Sequence, residues 1–165
     1  MNEKHKKVFE VLESLKIPYE VHYHPSAPTV EDALKYWKEI DASHCKNLFF
    51  RNHKGNKHYL VIFDHLQQLN IKELEQRLHQ GKLTFASEER MQKYLRVKPG
   101  SVSPFGIIND EQHHVYLFID KYLEKTEKIS FHPNENTATV VIKMNDFIIF
   151  LEHFRNRFEF IQLYD

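Results

Sequence analysis

The chain has one cysteine, four glycines and six prolines in 165 residues, and it has no net charge. Each shortage excludes something. With Cys45 alone an intrachain disulfide is impossible, which fits a reducing, cytoplasmic location. No apolar run approaches the roughly 20 residues that cross a bilayer. The opening "MNEKHKKVFEVLESLKI" threads charges through its apolar positions, so no signal peptide and no membrane association are expected. Lysine plus arginine and aspartate plus glutamate number 23 each. The chain as a whole therefore exerts no electrostatic pull on nucleic acid: DNA is not an expected partner, and an RNA partner needs a local basic patch. There is no GxxxxGK[ST], no HExxH and no Cys–His cluster, so neither a phosphate loop nor a metal or other cofactor is expected.

What is present is a globular composition, 41% apolar and 28% charged, of a length that suits one domain over residues 1–165. Twelve histidines are expected to make the surface more positive below about pH 6.5. Val8, Val11, Leu12 and Leu15 recur at helical spacing over residues 3–16, which Pro18 ends. "YEVHYH" alternates like a strand, and Thr29 with Asp32 forms a capping box for a helix over "VEDALKYW". "CKNLFFRNHKGNKHYLVIF" reads as a hairpin turning at Gly55. Asn70 caps "IKELEQRLHQ", with Gly81 at its C-terminus, and Ser87 caps "EERMQKYLRV" after a brief strand "LTF". "HVYLFID", "KISFH" and "TATVVIK" read as strands, "NDFIIFLEHFRNR" as a helix and "FEFIQL" as a last strand. Without a regular βαβ rhythm, this order predicts an α+β fold: a mixed, mostly antiparallel sheet flanked by helices.

Chemistry has few candidates. Cys45 and His44 are neighbours on a strand and point to opposite faces, so they cannot pair directly; a buried structural thiol is expected. Ser87 and Ser101 lack a GxSxG context. Three features remain. Lys46–Asn47 sets a cation and an amide among apolar neighbours. "KPGSVSPFGIIND" places Pro99, Gly100, Pro104 and Gly106 within eight residues, where proline fixes φ and glycine permits φ > 0. His132–Pro133 opens the polar "NENT" run before a strongly apolar strand. Each also has a plain structural reading: a solvated strand lysine, a rigid helix-to-strand connection, a strand-entry loop.

Their order along the chain is more specific. "KNLFFRNHKGNKHYLVIF", "LTFASEERMQKYLRVKPGSVSPFGIIND" and "FHPNENTATVVI" resemble the bacterial (YbaK-like) editing-domain family related to the insertion domain of prolyl-tRNA synthetase. Within that family the resemblance is to the free-standing deacylases that hydrolyse Ala-tRNA(Pro), and it runs from about Pro18 to Phe150. It implies an ester hydrolase without a cofactor, acting on the acceptor end of a mischarged tRNA, with prolyl-tRNA synthetase as a candidate partner. By the resemblance, the catalytic set is Lys46, Gly100 and His132. Lys46 meets the phosphate or ribose of the 3′-terminal adenosine, and Asn47 helps fix the acceptor end. The loop from Gly100 through Ser101, Val102 and Ser103 to Pro104 lies against the aminoacyl ester, and His132 lines the aminoacyl pocket. Thr29 begins a substrate-covering helix, and Pro28 stands where relatives commonly carry phenylalanine. An ester beside a free ribose hydroxyl needs no protein nucleophile, because holding ester and water in attack geometry supplies the acceleration. Three activities fit: removal of alanine, removal of cysteine or serine from a mischarged tRNA, and tRNA or synthetase binding without turnover.

Overall fold

The hairpin expected around Gly55 forms from β2 (Ser43–Asn52) and β3 (His58–Asp64); β3 is buried from His58 to Phe63, and successive side chains of both strands point to opposite faces. Phe49, Leu60 and Ile62 enter one hydrophobic cluster, while Phe50, Tyr59, Val61 and Phe63 enter another. A period of two with both faces apolar demands a cover on each side of the sheet. The covers are the amphipathic helices. α1 (Glu3–Ser14) and α5 (Met144–Phe154) bury Val8, Leu12, Phe147 and Phe150 against the first face; α3 (Ile71–Leu78) buries Leu74 and Leu78 against the second. Side chains of this size contribute roughly 1.5–3 kcal/mol each on full burial.

The computed structural model describes residues 2–165. The remaining strands are β1 (Glu20–Tyr23), β4 (Leu83–Phe85), β5 (Tyr116–Asp120), β6 (Lys128–Phe131), β7 (Ala138–Lys143) and β8 (Phe158–Ile161). They join β2 and β3 in one mixed sheet of order β1-β7-β6-β2-β3-β5-β8, with β4 added beside β2. Pairings of β1 with β7, β6 with β7, and β2 with both β3 and β4 are antiparallel; β2 with β6, β3 with β5, and β5 with β8 are parallel. The α+β reading with a mixed sheet holds. α2 (Val30–Trp37) stands apart from both large clusters, packing Ala33 and Trp37 on a small one with Ala27, Ile40 and Val141.

Local details depart from expectation at three points. Thr29 caps α2 by accepting from the Asp32 amide, but the Asp32 carboxylate accepts a hydrogen bond from the Thr29 hydroxyl instead of bonding back to the Thr29 backbone. The end of α3 is set by His79 in the left-handed region, two residues before Gly81. The histidines do not all charge the surface: His5, His44 and His58 are buried, and desolvation lowers the pKa of each.

Candidate active site

β2 carries a gap in its hydrogen-bonding edge. On the side away from β3, β6 pairs only with Ser43 and His44, and β4 only with Phe50 to Asn52. The Phe49 carbonyl accepts from the Ala86 amide on that side, so Cys45 and Asn47, at the same parity, turn their backbone groups to the same edge. A cavity of about 370 Å³ fills the gap. Because an open edge is reached from both faces, Lys46 and Asn47 both line the cavity although strand alternation sends their side chains to opposite sides. β6 and β7 supply Ser130, Phe131, His132 and Thr139; α2 covers the cavity with Val30, Ala33 and Trp37; and Gly100 and Val102 close the remaining side.

The Gly100 loop is a turn whose shape depends on both of its special residues. The Ser101 amide donates to the Lys98 carbonyl at 3.0 Å, with Pro99 at the second position and Gly100 (φ 84°) at the third. That is a type II turn, which requires φ > 0 at its third residue. Gly100 also touches the segment that leads into α2: a Cβ there would stand 2.7 Å from the Pro28 carbonyl oxygen and 2.9 Å from Pro28 Cα. The two walls of the cavity meet backbone to backbone. Pro28 therefore forms part of the wall and is the abutment for Gly100.

Polar groups around the cavity are fixed from behind. Lys46 Nζ donates to the Gln67 carbonyl at 2.6 Å and lies 6.0 Å from the Phe63 ring centroid. His132 Nδ1 donates to the Ala138 carbonyl at 2.8 Å, which leaves Nε2 as the acceptor. Desolvation lowers the His132 pKa, with His24 and His5 adding to the effect against the Ala138 bond, so the ring is neutral at physiological pH. His24 donates from Nδ1 to the Pro25 carbonyl (2.9 Å) and accepts the Thr139 hydroxyl at Nε2 (2.9 Å), its ring stacked on Tyr36. Two buried polar atoms of cavity-lining residues have no hydrogen-bond partner among the described residues: Trp37 Nε1, a donor, and Asn47 Oδ1, an acceptor. Buried polar groups left unpaired are costly. Cys45 borders the cavity as well, but burial raises its thiol pKa well above the usual range, so it is not a thiolate nucleophile.

Of the residues singled out in the sequence, the cavity brings together Thr29, Lys46, Asn47, Gly100, Val102 and His132. Ser101, Ser103 and Pro104 do not line it. Ser103 is fully buried and caps a 3₁₀ helix over Pro104–Asn109, its Oγ accepting from the Phe105 amide at 3.1 Å; Pro104 is the first residue of that helix. Ser101 is buried beside the cavity-lining Val102 without lining the cavity itself. Trp37, Ala33 and Thr139 were missed. Trp37 and Ala33 read from sequence as an ordinary apolar helix face, and only the small cluster beneath α2 reveals that this face also looks onto a cavity.

Residues 24–150 match the family model described as an aminoacyl-tRNA editing domain. The chain is 40% identical over 156 residues to a prolyl-tRNA editing protein ProX of Acetoanaerobium sticklandii, covering 94% of this chain and 95% of that protein. It is 33% identical over 144 residues to prolyl-tRNA synthetase associated domain-containing protein 1 of Mus musculus, covering 86% and 85%. A crystal structure offered as that of a trans-editing enzyme for prolyl tRNA synthetase superposes with a TM-score of 0.71 over 98% of each chain at 17% identity, a likeness of fold.

Proposed function

Because the chain belongs to the aminoacyl-tRNA editing domain family, we propose that it is a trans-acting deacylase that hydrolyses the ester of mischarged tRNA(Pro), with alanine as the amino acid removed. The observation that carries this reading is one cavity that joins Lys46, Asn47, Gly100 and His132 while offering no activated side-chain nucleophile. Water attacks the ester carbonyl, the bond to the ribose oxygen breaks, and the departing oxygen takes a proton relayed through the neighbouring ribose hydroxyl. Lys46 Nζ exchanges its Gln67 carbonyl for a phosphate or ribose oxygen and so holds the terminal adenosine. Neutral His132 offers Nε2 to the α-amino group, and the Gly100–Val102 backbone lies against the carbonyl where negative charge develops. The lining of Ala33, Val30 and Trp37 sets the size limit. A synthetase site that accepts proline cannot strongly reject a smaller residue, since each missing methylene is worth only ~1–3 kcal/mol; a smaller second sieve supplies the discrimination.

The test is a deacylation time course on tRNA(Pro) charged with alanine, proline, cysteine or serine. It uses the wild type, Lys46→Ala and Ala33→Leu. Selective loss of alanine, abolished by the lysine change and depressed at least about tenfold (~1.4 kcal/mol) by the larger side chain, is the expected result. Selective loss of cysteine or serine would move the substrate within the same chemistry, and binding without turnover would overturn the enzyme.

A further inference from the structure

The chain carries no net charge, yet its cations are not evenly spread. At the hairpin end of β2 and β3, His58 faces Arg51 across the pair, and Lys54 and Lys57 flank the turn. α4 (Glu88–Tyr94) brings two more: Arg90 Nη1 donates to the Gly55 carbonyl and to His58 Nε2, each at 2.9 Å, and Lys93 lies one turn further on, 5.3 Å from the Tyr94 ring centroid. Among the described residues none of these five cations forms an ion pair with a carboxylate. Glu88 and Glu89, in the first turn of α4, are the nearby acids in sequence.

The cluster is built, since His58 organises it. Its ring is fully buried; it accepts from Arg90 at Nε2 and donates from Nδ1 to His114 Nε2 at 2.8 Å. Both ring nitrogens are occupied, which keeps the imidazole neutral and aims the guanidinium at the turn. Gly55 fits this contact closely, as a Cβ there would stand 2.9 Å from Arg90 Nη2. The cluster and the cavity share β2, with the side chains of Lys46 and Arg51 on opposite faces of that strand. Lys46 and Arg51 lie on the same strand five residues apart, roughly 17 Å at ~3.3 Å per residue. α4 runs from the hairpin tip directly into the Gly100 turn. At one phosphate per ~3.4 Å of a stacked strand, the cations stand about five phosphates from a nucleotide held at Lys46.

We propose that Arg51, Lys54, Lys57, Arg90 and Lys93 form a docking surface for RNA backbone phosphates, taking the strand that leads from the acceptor stem of the tRNA to the ester held in the cavity. The inference rests on the deacylase reading for its substrate and adds where the nucleic acid is gripped. The surface reads no bases; it sets affinity and register.

Lys54→Glu/Lys93→Glu exchanges two exposed cations and leaves His58 and Arg90 in place. Lys121→Glu/Lys125→Glu changes the charge by the same amount elsewhere and serves as the control. Two substrates are compared, alanyl-tRNA(Pro) and alanyl-adenosine, the latter with the ester and no phosphate strand. The hairpin variant is expected to lose at least tenfold in kcat/KM on the tRNA, to hold its rate on alanyl-adenosine within twofold, and to have a salt dependence of log kcat/KM shallower by ~1.4–1.8 for two contacts. The control should stay near wild type. Equal losses in both variants, or an unchanged salt slope in the hairpin variant, would overturn the surface. If the wild type hydrolyses neither ester, the deacylase reading fails separately. Binding of uncharged tRNA then still decides the surface: weaker binding by the hairpin variant upholds it, and equal binding refutes it.

Discussion

Gly100→Ala tests whether the turn against Pro28 is the part of the loop that matters, and Gly81→Ala provides an internal standard. Both glycines sit in the left-handed region, at φ 84° and 80°, so both substitutions carry the same backbone strain of ~1–2 kcal/mol. They differ in surroundings. Nothing lies within 4 Å of a Cβ at Gly81, whereas at Gly100 it would meet Pro28 O at 2.7 Å and Pro28 Cα at 2.9 Å. Both obstacles are backbone and cannot rotate away. Overpacking of this kind adds ~1–3 kcal/mol, so Gly100→Ala is expected to cost about 2–5 kcal/mol against about 1–2 for Gly81→Ala. At ~2–4 °C per kcal/mol, the melting temperature falls by roughly 4–20 °C in the first variant and by roughly 2–8 °C in the second. If the chain relieves the clash by parting the two walls, some stability returns, but the cavity widens and alanine discrimination drops. Pro28→Gly in the same background should not rescue either property, because it removes neither obstructing atom. Urea unfolding and deacylation rates on the same preparations decide the matter. A Gly100→Ala protein that matches Gly81→Ala in both would refute the claim that contact with Pro28 shapes the site.

Two further outcomes follow from buried groups. Burial, with His114 and the surrounding cations reinforcing it, holds the His58 pKa down to about 4; the unfolded chain binds that proton near pH 6.5. The unfolded state therefore takes up the proton first as pH falls, and the contribution of His58 is complete above pH 6.5 and lost on descending to about 4, a difference on the order of 3 kcal/mol. His58→Gln, which keeps an acceptor for Arg90, should flatten the fall in urea midpoint between pH 6.5 and 4; an unaltered slope would mean His58 is protonated in the folded state. Ser103→Ala removes a helix cap and should cost ~1 kcal/mol while leaving kcat/KM for deacylation within twofold, since Ser103 is a buried cap outside the cavity; a loss of activity beyond its loss of stability would return Ser103 to the site.

The elements were legible because local signals decide them. Alternating apolar residues in "CKNLFFRNHKGNKHYLVIF", capping residues at Asn70 and Ser87, and the turn at Gly55 act over a few neighbours, and the hairpin and both helices lie where those signals put them. The resemblance named Lys46, Asn47, Gly100 and His132, and the cavity gathers all four. Other features lie beyond sequence reading. Ser101 and Ser103 share a loop with Gly100, but whether a loop residue faces a cavity or a core depends on which element packs behind it. Trp37 and Ala33 carry the pattern of any apolar helix face. The twelve histidines could be counted, though which of them are sealed from water could not.

The sequence by itself determined the strands, the helices and the place of the tight turn at Gly100, because each depends on residue type and near neighbours. Only the tertiary structure decided the site. β6 and β4 each pair with one end of β2 and leave its middle open, and α2 and the Gly100 turn close over that opening at Pro28. Pairing register and backbone contact across 72 residues of chain are properties of the assembled sheet, which no local stretch of sequence encodes.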